Sequence, residues 1–563
     1  MNDKIYIKKI KFFAGKNQNS SPLDISVGRV VVFVGPNNSG KSLSLREIED
    51  WSTIGSDSPR KIIQDIEMNY TKRGIEIEKI YKFFSSKPPG GQVLSPSQKY
   101  IVHHSFKQGQ SVRNITIDVQ AVKDAVTASN ISFLRDNLFS LFTVRLDGRT
   151  RFVLTDPKQS GDLQIAPQNH LWSLFTNDVV RAKVRKLIYD ALNYYFVIDL
   201  TGLSQFRIRL SLKPPPSDVV ERGTHGESLK FHSQAPEIKE YSDGVQAFVG
   251  LISAVMSIPD KIILIDEPEA FLHPPLARRL GSYLSKISND RNASLLVSTH
   301  SAEFLMGCLE TEENTSVVRL TYSRNIPTAR VLPAVDLENL INDPLLRSTG
   351  VYRALFHSSV VISEADADRA FYDEINRRLV NKGKGIVDSL FISPQTKDTI
   401  GRMIKPLREI GIPAAAIIDL DLLVDVPTKW KKIMDACQIS GVDRTFVDSE
   451  KLYFKSIFDG IGKDTYKKRG INALDLADRT RVRLLLKKLN EYGLFIVYKG
   501  ELECWLQNVG GRGHGPDWLI SIFSKIGKKE TDTNYLFPAT GDVWGFLNSI
   551  AKWVSDPHRL GVS

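Results

Sequence analysis

Two stretches far apart in the sequence carry residues of the types that handle phosphate. Gly35-Pro36-Asn37-Asn38-Ser39-Gly40-Lys41-Ser42 has the spacing of a phosphate-binding loop. Its glycines let backbone N–H groups curl around phosphate oxygens, Lys41 neutralises the β and γ oxygens, and the Ser42 hydroxyl offers a Mg²⁺ ligand at a helix N-terminus. The second stretch is Ile262 to Ile265 followed by Asp266-Glu267. Asp266 is placed to hold Mg²⁺ through its water shell, and Glu267 to polarise a water for attack on phosphate. A third set is acidic throughout: Glu364 with Asp368, Asp419 with Asp421, and Glu501 or Glu503. Carboxylates gathered from separate strands suit one or two divalent ions, Mg²⁺ or Mn²⁺.

The elements that position these residues show in the apolar pattern. Val30 to Val34, Ile262 to Ile265 and Ser294 to Val297 read as strands buried on both faces of a parallel sheet, and a helix through Leu45, Ile48 and Trp51 follows the phosphate loop. Ile5 to Phe13 and Leu23 to Ile25 are short strands, and Trp172 to Asp199 is a helix entering a strand. Phe142 to Leu154 alternates around Asp147-Gly148, which predicts a hairpin with Arg145, Arg149 and Arg151 on solvated strand faces. Pro327, Pro333 and Pro344 mark a linker. Beyond it, Val360 to Ile362, Ala414 to Ile418 and Leu494 to Tyr498 are strands, with an amphipathic helix through Phe371, Ile375 and Leu379. A period of two puts Asp419 and Asp421 on one face.

Composition sets the bounds. With 563 residues, 42% hydrophobic and 25% charged, the chain is an ordinary globular protein of two to four domains, not a disordered one. No apolar run is long enough to cross a bilayer and the amino end lacks a signal-peptide core, so a cytoplasmic protein without a membrane partner is expected. Cys308, Cys437 and Cys504 are far apart, arguing against disulfides and a zinc site. A net charge of +11 favours a polyanionic partner. Basic residues concentrate at Lys467-Lys468-Arg469, at Arg479, Arg481, Arg483, Lys487 and Lys488, and at Lys525, Lys528 and Lys529. The middle group shares a helix with Val482, Leu485, Leu486 and Leu489.

Tyr241-Ser242-Asp243-Gly244, opening an apolar helix to Met256, resembles the signature motif of ABC-type ATPases. Ser298-Thr299-His300-Ser301 stands where that pattern has its switch histidine. The resemblance implies that Ser242 and Gly244 of one subunit contact ATP held by another, and that His300 joins Glu267 in catalysis. Lys41 and Asp266 lie 225 positions apart, which fits a split head with an insertion and not a compact GTPase.

The carboxyl half resembles a TOPRIM domain. Together the halves are similar to the overcoming-lysogenization-defect (OLD) family of ATP-dependent nucleases, which includes Gabija-type and retron-associated antiphage effectors. That resemblance implies an α/β chain with an ABC-type P-loop ATPase head (1–55 and 141–350), an insertion at 56–140 that serves as a dimerisation element, and a TOPRIM nuclease domain with terminal helices (351–563). It assigns Glu364 and Asp368 to the first acidic motif, Asp419 and Asp421 to the second, and Glu503, with Glu501 as competitor, to the third. Ala365 stands where the family has glycine. The implied partners are DNA, further copies of the chain, and a defence-system protein or a retron reverse transcriptase with its small DNA. The competing expectation is a nuclease-inactive, ATP-dependent DNA clamp or scaffold.

Overall fold

The computed structural model describes residues 5–17, 20–53, 59–86, 88, 93–104, 112–164, 167–257, 262–291, 293–310, 315–323, 325–333, 337, 343–394 and 399–562. The chain divides into two compact units, one of residues 1–34 and 38–334 and one of 335–563 with 35–37.

The strands of the first unit are Tyr6–Phe12 (β1), Asp24–Ser26 (β2), Val30–Val34 (β3), Ile63–Asn69 (β4), Ser85–Ser86 (β5), Gln98–His104 (β6), Val112–Asp118 (β7), Thr143–Leu146 (β8), Lys158–Gln159 (β9), Tyr195–Asp199 (β10), Gln205–Ser211 (β11), Ile262–Asp266 (β12), Ser294–Ser298 (β13), Thr315–Ser323 (β14) and Ile326–Leu332 (β15). Its main sheet has the order β15-β14-β3-β13-β12-β8. β14, β3, β13, β12 and β8 pair in parallel and β15 is antiparallel at the edge. All five residues of β3 and of β13, and the first four of β12, are buried, which explains their unbroken apolar runs. Residues 63–142 contribute Ile63, Ile66, Val122 and Leu138 to the same apolar cluster as Phe12, Phe33 and Ile48, and β4 pairs with β1.

Two expectations fail in this unit. Asp147-Gly148 does not close a hairpin: β8 pairs in parallel with β12, and the chain after the turn enters a short helix, Thr150–Val153. The Asp147 carboxylate accepts the N–H groups of Arg149 and Thr150, at 3.0 and 3.1 Å, so the side chain that favours a tight turn caps a helix instead. Arg151 is fully buried rather than solvated, and Arg145 is paired with Glu49 at 2.6 Å and Asp147 at 3.0 Å. Pro327 lies within β15 and not in a linker; as an edge strand, β15 tolerates the missing N–H, and Pro327 stands opposite Tyr322.

In the second unit, Ser359–Ile362 (β16), Ser389–Ile392 (β17), Ala414–Asp419 (β18) and Leu494–Val497 (β19) form a parallel sheet ordered β17-β16-β18-β19. Val361, Ala415, Ile417 and Phe495 pack with Phe371 and Ile375 of the helix Asp366–Val380 and with Trp505, Trp518 and Trp544. The strand ends at Asp419, and Asp421 belongs to a 3₁₀ turn, Leu420–Leu423, so the period-two rule does not reach it. All three cysteines are buried. Among the described residues no helix is long and apolar enough to cross a membrane.

Candidate nucleotide and metal sites

Three motifs meet through the strand register of the main sheet. Asp266 of β12 stands opposite Ser298 of β13, and Ser298 stands opposite Phe33 of β3. The phosphate loop, the acidic pair and the Ser298-Thr299-His300 turn therefore leave one edge of the sheet side by side. The first two are separated by two strand spacings, roughly 10 Å. Ligands of open parallel sheets bind at this carboxyl edge.

The loop has the backbone an anion cradle needs. Gly35 and Gly40 have φ of +140° and +94°, Asn38 has +59°, and a Cβ on Gly40 would lie 2.2 Å from Ile62 Cδ1. Lys41 is 4% exposed, and its Nζ donates to Ser39 Oγ at 3.4 Å. The helix Lys41–Thr53 follows, with Leu45, Ile48 and Trp51 buried and Ser42 at its first turn. Backbone amides, one ammonium and one hydroxyl form a donor set that fits a triphosphate, and Ser42 with Asp266 supplies the hard oxygens that suit Mg²⁺.

Glu267 is held in the left-handed region at φ +50°, and its N–H donates to Ser298 O at 2.9 Å. Such a conformation costs a side-chain residue about 1–3 kcal/mol and persists only where its surroundings impose it. It leaves the carboxylate half-exposed and 3.7 Å from His300 Nε2. Ser298 Oγ donates to Asp266 Oδ1 in a short hydrogen bond.

Three residues absent from the expected site support this edge. Arg151 donates to Asp266 O at 2.7 Å and Ala270 O at 3.2 Å; burial lowers its pKa, and the charges of Glu269, Glu267 and Asp266 oppose that. Glu269 accepts the N–H of His300 at 2.8 Å; burial pushes its carboxyl up, partly offset by that N–H. Ser298 fastens Asp266. The Glu-Pro-Glu spacing hinted at Glu269; Arg151 was hidden by the hairpin reading.

Ser242 and Asp243 are exposed at the start of the helix Asp243–Ser257. A Cβ on Gly244 would sit 2.6 Å from Phe271 O, in the loop after the acidic pair. Gly244→Ala should therefore displace that loop, lowering stability by about 1–3 kcal/mol in a thermal melt and slowing ATP turnover. An unchanged melting temperature would show that the loop yields freely.

In the second unit, Glu364 follows β16 and Asp419 ends the neighbouring β18. Glu364 is 8% exposed, and its Oε1 accepts the Asp419 N–H at 2.9 Å. Asp368 Oδ2 accepts the Ala365 N–H at 3.0 Å, closing the first turn of its helix. Ala365 has φ −132°, open to any residue, so its replacement of glycine strains nothing. Tyr372 links three of the acids: burial drives its hydroxyl well up, and the charges of Asp368, Asp419 and Glu364 add to the effect. Burial lowers the Lys467 pKa, but Glu501, Asp421 and Asp419 outweigh it and the net shift is upward; Lys467 Nζ lies 3.1 Å from Glu501.

The structure divides the acidic set. Among the described residues, Glu364, Asp368, Asp419 and Asp421 form no group of three with all donor atoms within 4.8 Å, whereas Glu501, Glu503 and His514 do. Glu503 Oε1 lies 2.7 Å from His514 Nδ1 and accepts the Gly515 N–H at 2.6 Å. His514 was not anticipated, although the glycines at 510, 511, 513 and 515 signalled a tight loop around it. The all-oxygen set of Glu364, Asp368, Asp419 and Asp421 suits Mg²⁺ in donor type. Of the basic residues, Arg481 pairs with Glu450 at 2.8 Å and Lys488 with Asp443 and Glu491 at 3.2 and 2.8 Å, while Lys468, Arg469, Arg483 and Lys487 are exposed.

Residues 123–306 match the family described as "AAA domain, putative AbiEii toxin, Type IV TA system". Over 111 residues the chain is 32% identical to the bacitracin transport ATP-binding protein BcrA of Enterococcus faecalis, covering 19% of this chain and 34% of that protein. The chain thus spans about a third of the length of this curated relative. Similar solved structures include the SMC head domain from Thermotoga maritima, with a TM-score of 0.30 and 14% identity, covering 58% of this chain and 99% of that one. The Smc head domain with an extended coiled coil, bound to the C-terminal domain of ScpA derived from Pyrococcus furiosus, gives a TM-score of 0.31 and 12% identity over 60% and 99% of the respective chains. The phosphate loop, the acidic strand two places away in the sheet and the matched segment support ATP binding and are similar to ABC-type ATPases.

Proposed function

We propose that the chain is an ATP-hydrolysing, metal-dependent DNA endonuclease of the OLD type, an antiphage effector whose second unit is a TOPRIM nuclease controlled by nucleotide state. The observation that carries this reading is the Asp419 N–H to Glu364 bond across the carboxyl ends of two adjacent parallel strands. It holds the buried Glu364 carboxylate against the main chain of Asp419, and the charges of Glu364, Asp419 and Asp368 all reach Tyr372. A divalent ion held by Glu364, Asp419, Asp421 and Asp368, with Glu503 or Glu501, would supply Lewis-acid activation of water and charge neutralisation at a phosphodiester. The chain's own residues do the rest. Glu364 holds the β18 end in register, Lys467 places a cation beside Asp419 and Asp421, and the exposed Lys468, Arg469, Arg483 and Lys487 draw in the DNA backbone.

The loop from Gly35 to Ser42 binds the triphosphate, Glu267 orients water and His300 steadies Glu267. Ser242, exposed at a helix start, and the neighbouring half-buried Gly244 reach the nucleotide of a second copy, so ATP joins two heads. Lys41→Ala should lower ATP turnover at least about a hundredfold in a phosphate-release assay, because the lysine acts where charge develops. The scaffold reading draws support from Asp368 capping its own helix and from the four acids not closing into a three-donor group. Incubation of wild type with plasmid and Mg²⁺ or Mn²⁺, with and without ATP, separates the two. Cut DNA supports the nuclease; intact DNA that is nevertheless retained supports the clamp.

A further inference from the structure

A cavity of about 650 Å³ opens in the first unit, walled by β1, β4, the end of the helix Lys41–Thr53 and the π-helical turn Arg135–Phe139. Arg135 lies in its wall at 9% exposure, with its guanidinium 4.1 Å from the centre of the Trp51 ring, which is itself stacked on Phe139. Among the described residues no carboxylate pairs with Arg135, and its buried Nε has no hydrogen-bond partner. Asp65, whose charge reaches it, instead accepts Trp51 Nε1 at 3.2 Å. Nearby Arg60 likewise has a buried Nη1 without a partner, and its charge adds to burial in lowering the Arg135 pKa.

Two other buried arginines are treated differently. Arg181 meets Glu221, Asp178 and Asp218, and Arg378 meets Glu374 and three backbone carbonyls. A buried guanidinium without such partners is costly, and a second cation near it adds to the cost. An anion from outside would remove that cost. Stacking on Trp51 holds the guanidinium plane still, which suits two-pronged recognition of a planar or tetrahedral oxyanion.

We propose that this cavity binds a small organic phosphate monoester, its phosphate held by Arg135 and drawn by the Arg60 charge, and its organic body lying against Ile66 and Tyr70. A monoester carries about −1.5 to −2 charges at neutral pH, matching two cations better than a carboxylate does. The volume lies within the usual range for small-molecule pockets. Exposed Asp65 and Glu67 in the same wall disfavour a strand of nucleic acid, whose successive phosphates would meet them.

The probe is phenyl phosphate, titrated calorimetrically into the full chain, with phenol and inorganic phosphate as comparison arms. Wild type should bind one equivalent, more tightly than inorganic phosphate, and should not bind phenol. Arg135→Gln should weaken binding at least about tenfold, since a charge-assisted contact is lost, and Arg60→Gln should weaken it severalfold. Lys41→Ala, which disables the other phosphate site, should bind as wild type does. ATP turnover retained by Arg135→Gln shows that the variant is folded; should it misfold, Arg60→Gln, outside the Trp51 stack, decides alone. Absence of saturable binding to wild type overturns the proposal, as does unweakened binding in the arginine variants or binding lost only in Lys41→Ala.

Discussion

Asp419→Ala is expected to reduce plasmid cleavage at least about a hundredfold while leaving ATP turnover near the wild-type rate. The bond that ties β18 to Glu364 uses the Asp419 backbone N–H, so alanine retains it and the two strand ends remain in place. The side chain is not part of the apolar cluster of this unit, so its removal opens no cavity there. What is lost is one oxygen donor and one of the negative charges that raise the Lys467 pKa. Plasmid nicking and phosphate release measured on the same preparations make the comparison. If Asp419→Ala and Glu364→Ala both cut as fast as wild type in Mg²⁺, the nuclease assignment fails and the clamp takes its place.

Glu267→Gln should lower ATP turnover about 10²- to 10³-fold without loss of ATP binding, because the amide keeps the shape of the carboxylate and loses only its capacity to polarise water. Its backbone anchor to Ser298 O is untouched. The neighbouring His300, 3.7 Å away, would then face an amide in place of an anion. ATP should accumulate on this variant and drive association of heads, visible in sedimentation as an ATP-dependent dimer. Turnover at the wild-type rate would remove Glu267 from its role, and a strict monomer with ATP bound would remove Ser242 from the partner's nucleotide.

The candidate positions are legible in the sequence where chemistry and strand pattern coincide. The phosphate loop after β3, Asp266 at the tip of β12 and Glu364 just past β16 all lie where apolar runs stop, and burial on both sheet faces makes such runs unmistakable. Positions set by tertiary contact were not legible. Arg151 reads as a charged strand residue until β8 is seen to pair with β12, 119 positions away at Thr143 and Ile262. Pro327 reads as a break until β15 is seen to be an edge. Asp421 obeys a strand period only if the strand continues, and a 3₁₀ turn ends it at Asp419. His514 gave no signal of its own, because the Gly-rich loop that brings it to Glu503 has no periodicity to read.

The order of strands in the first sheet has a consequence for how the protein is made. β3 leaves the ribosome well before both its neighbours, β13 and β14, and Val34 precedes Ser294 by 260 positions. At roughly 5–20 residues per second of translation, the strand that presents the phosphate loop waits on the order of ten to fifty seconds for a partner. During that interval Val30 to Val34, an unpaired run of five apolar residues, is open to chaperones and to the same strand on neighbouring nascent chains of a polysome. The phosphate loop is therefore encoded well ahead of the strands that frame it, so a chain halted between β3 and β13 carries the loop without the sheet that supports it.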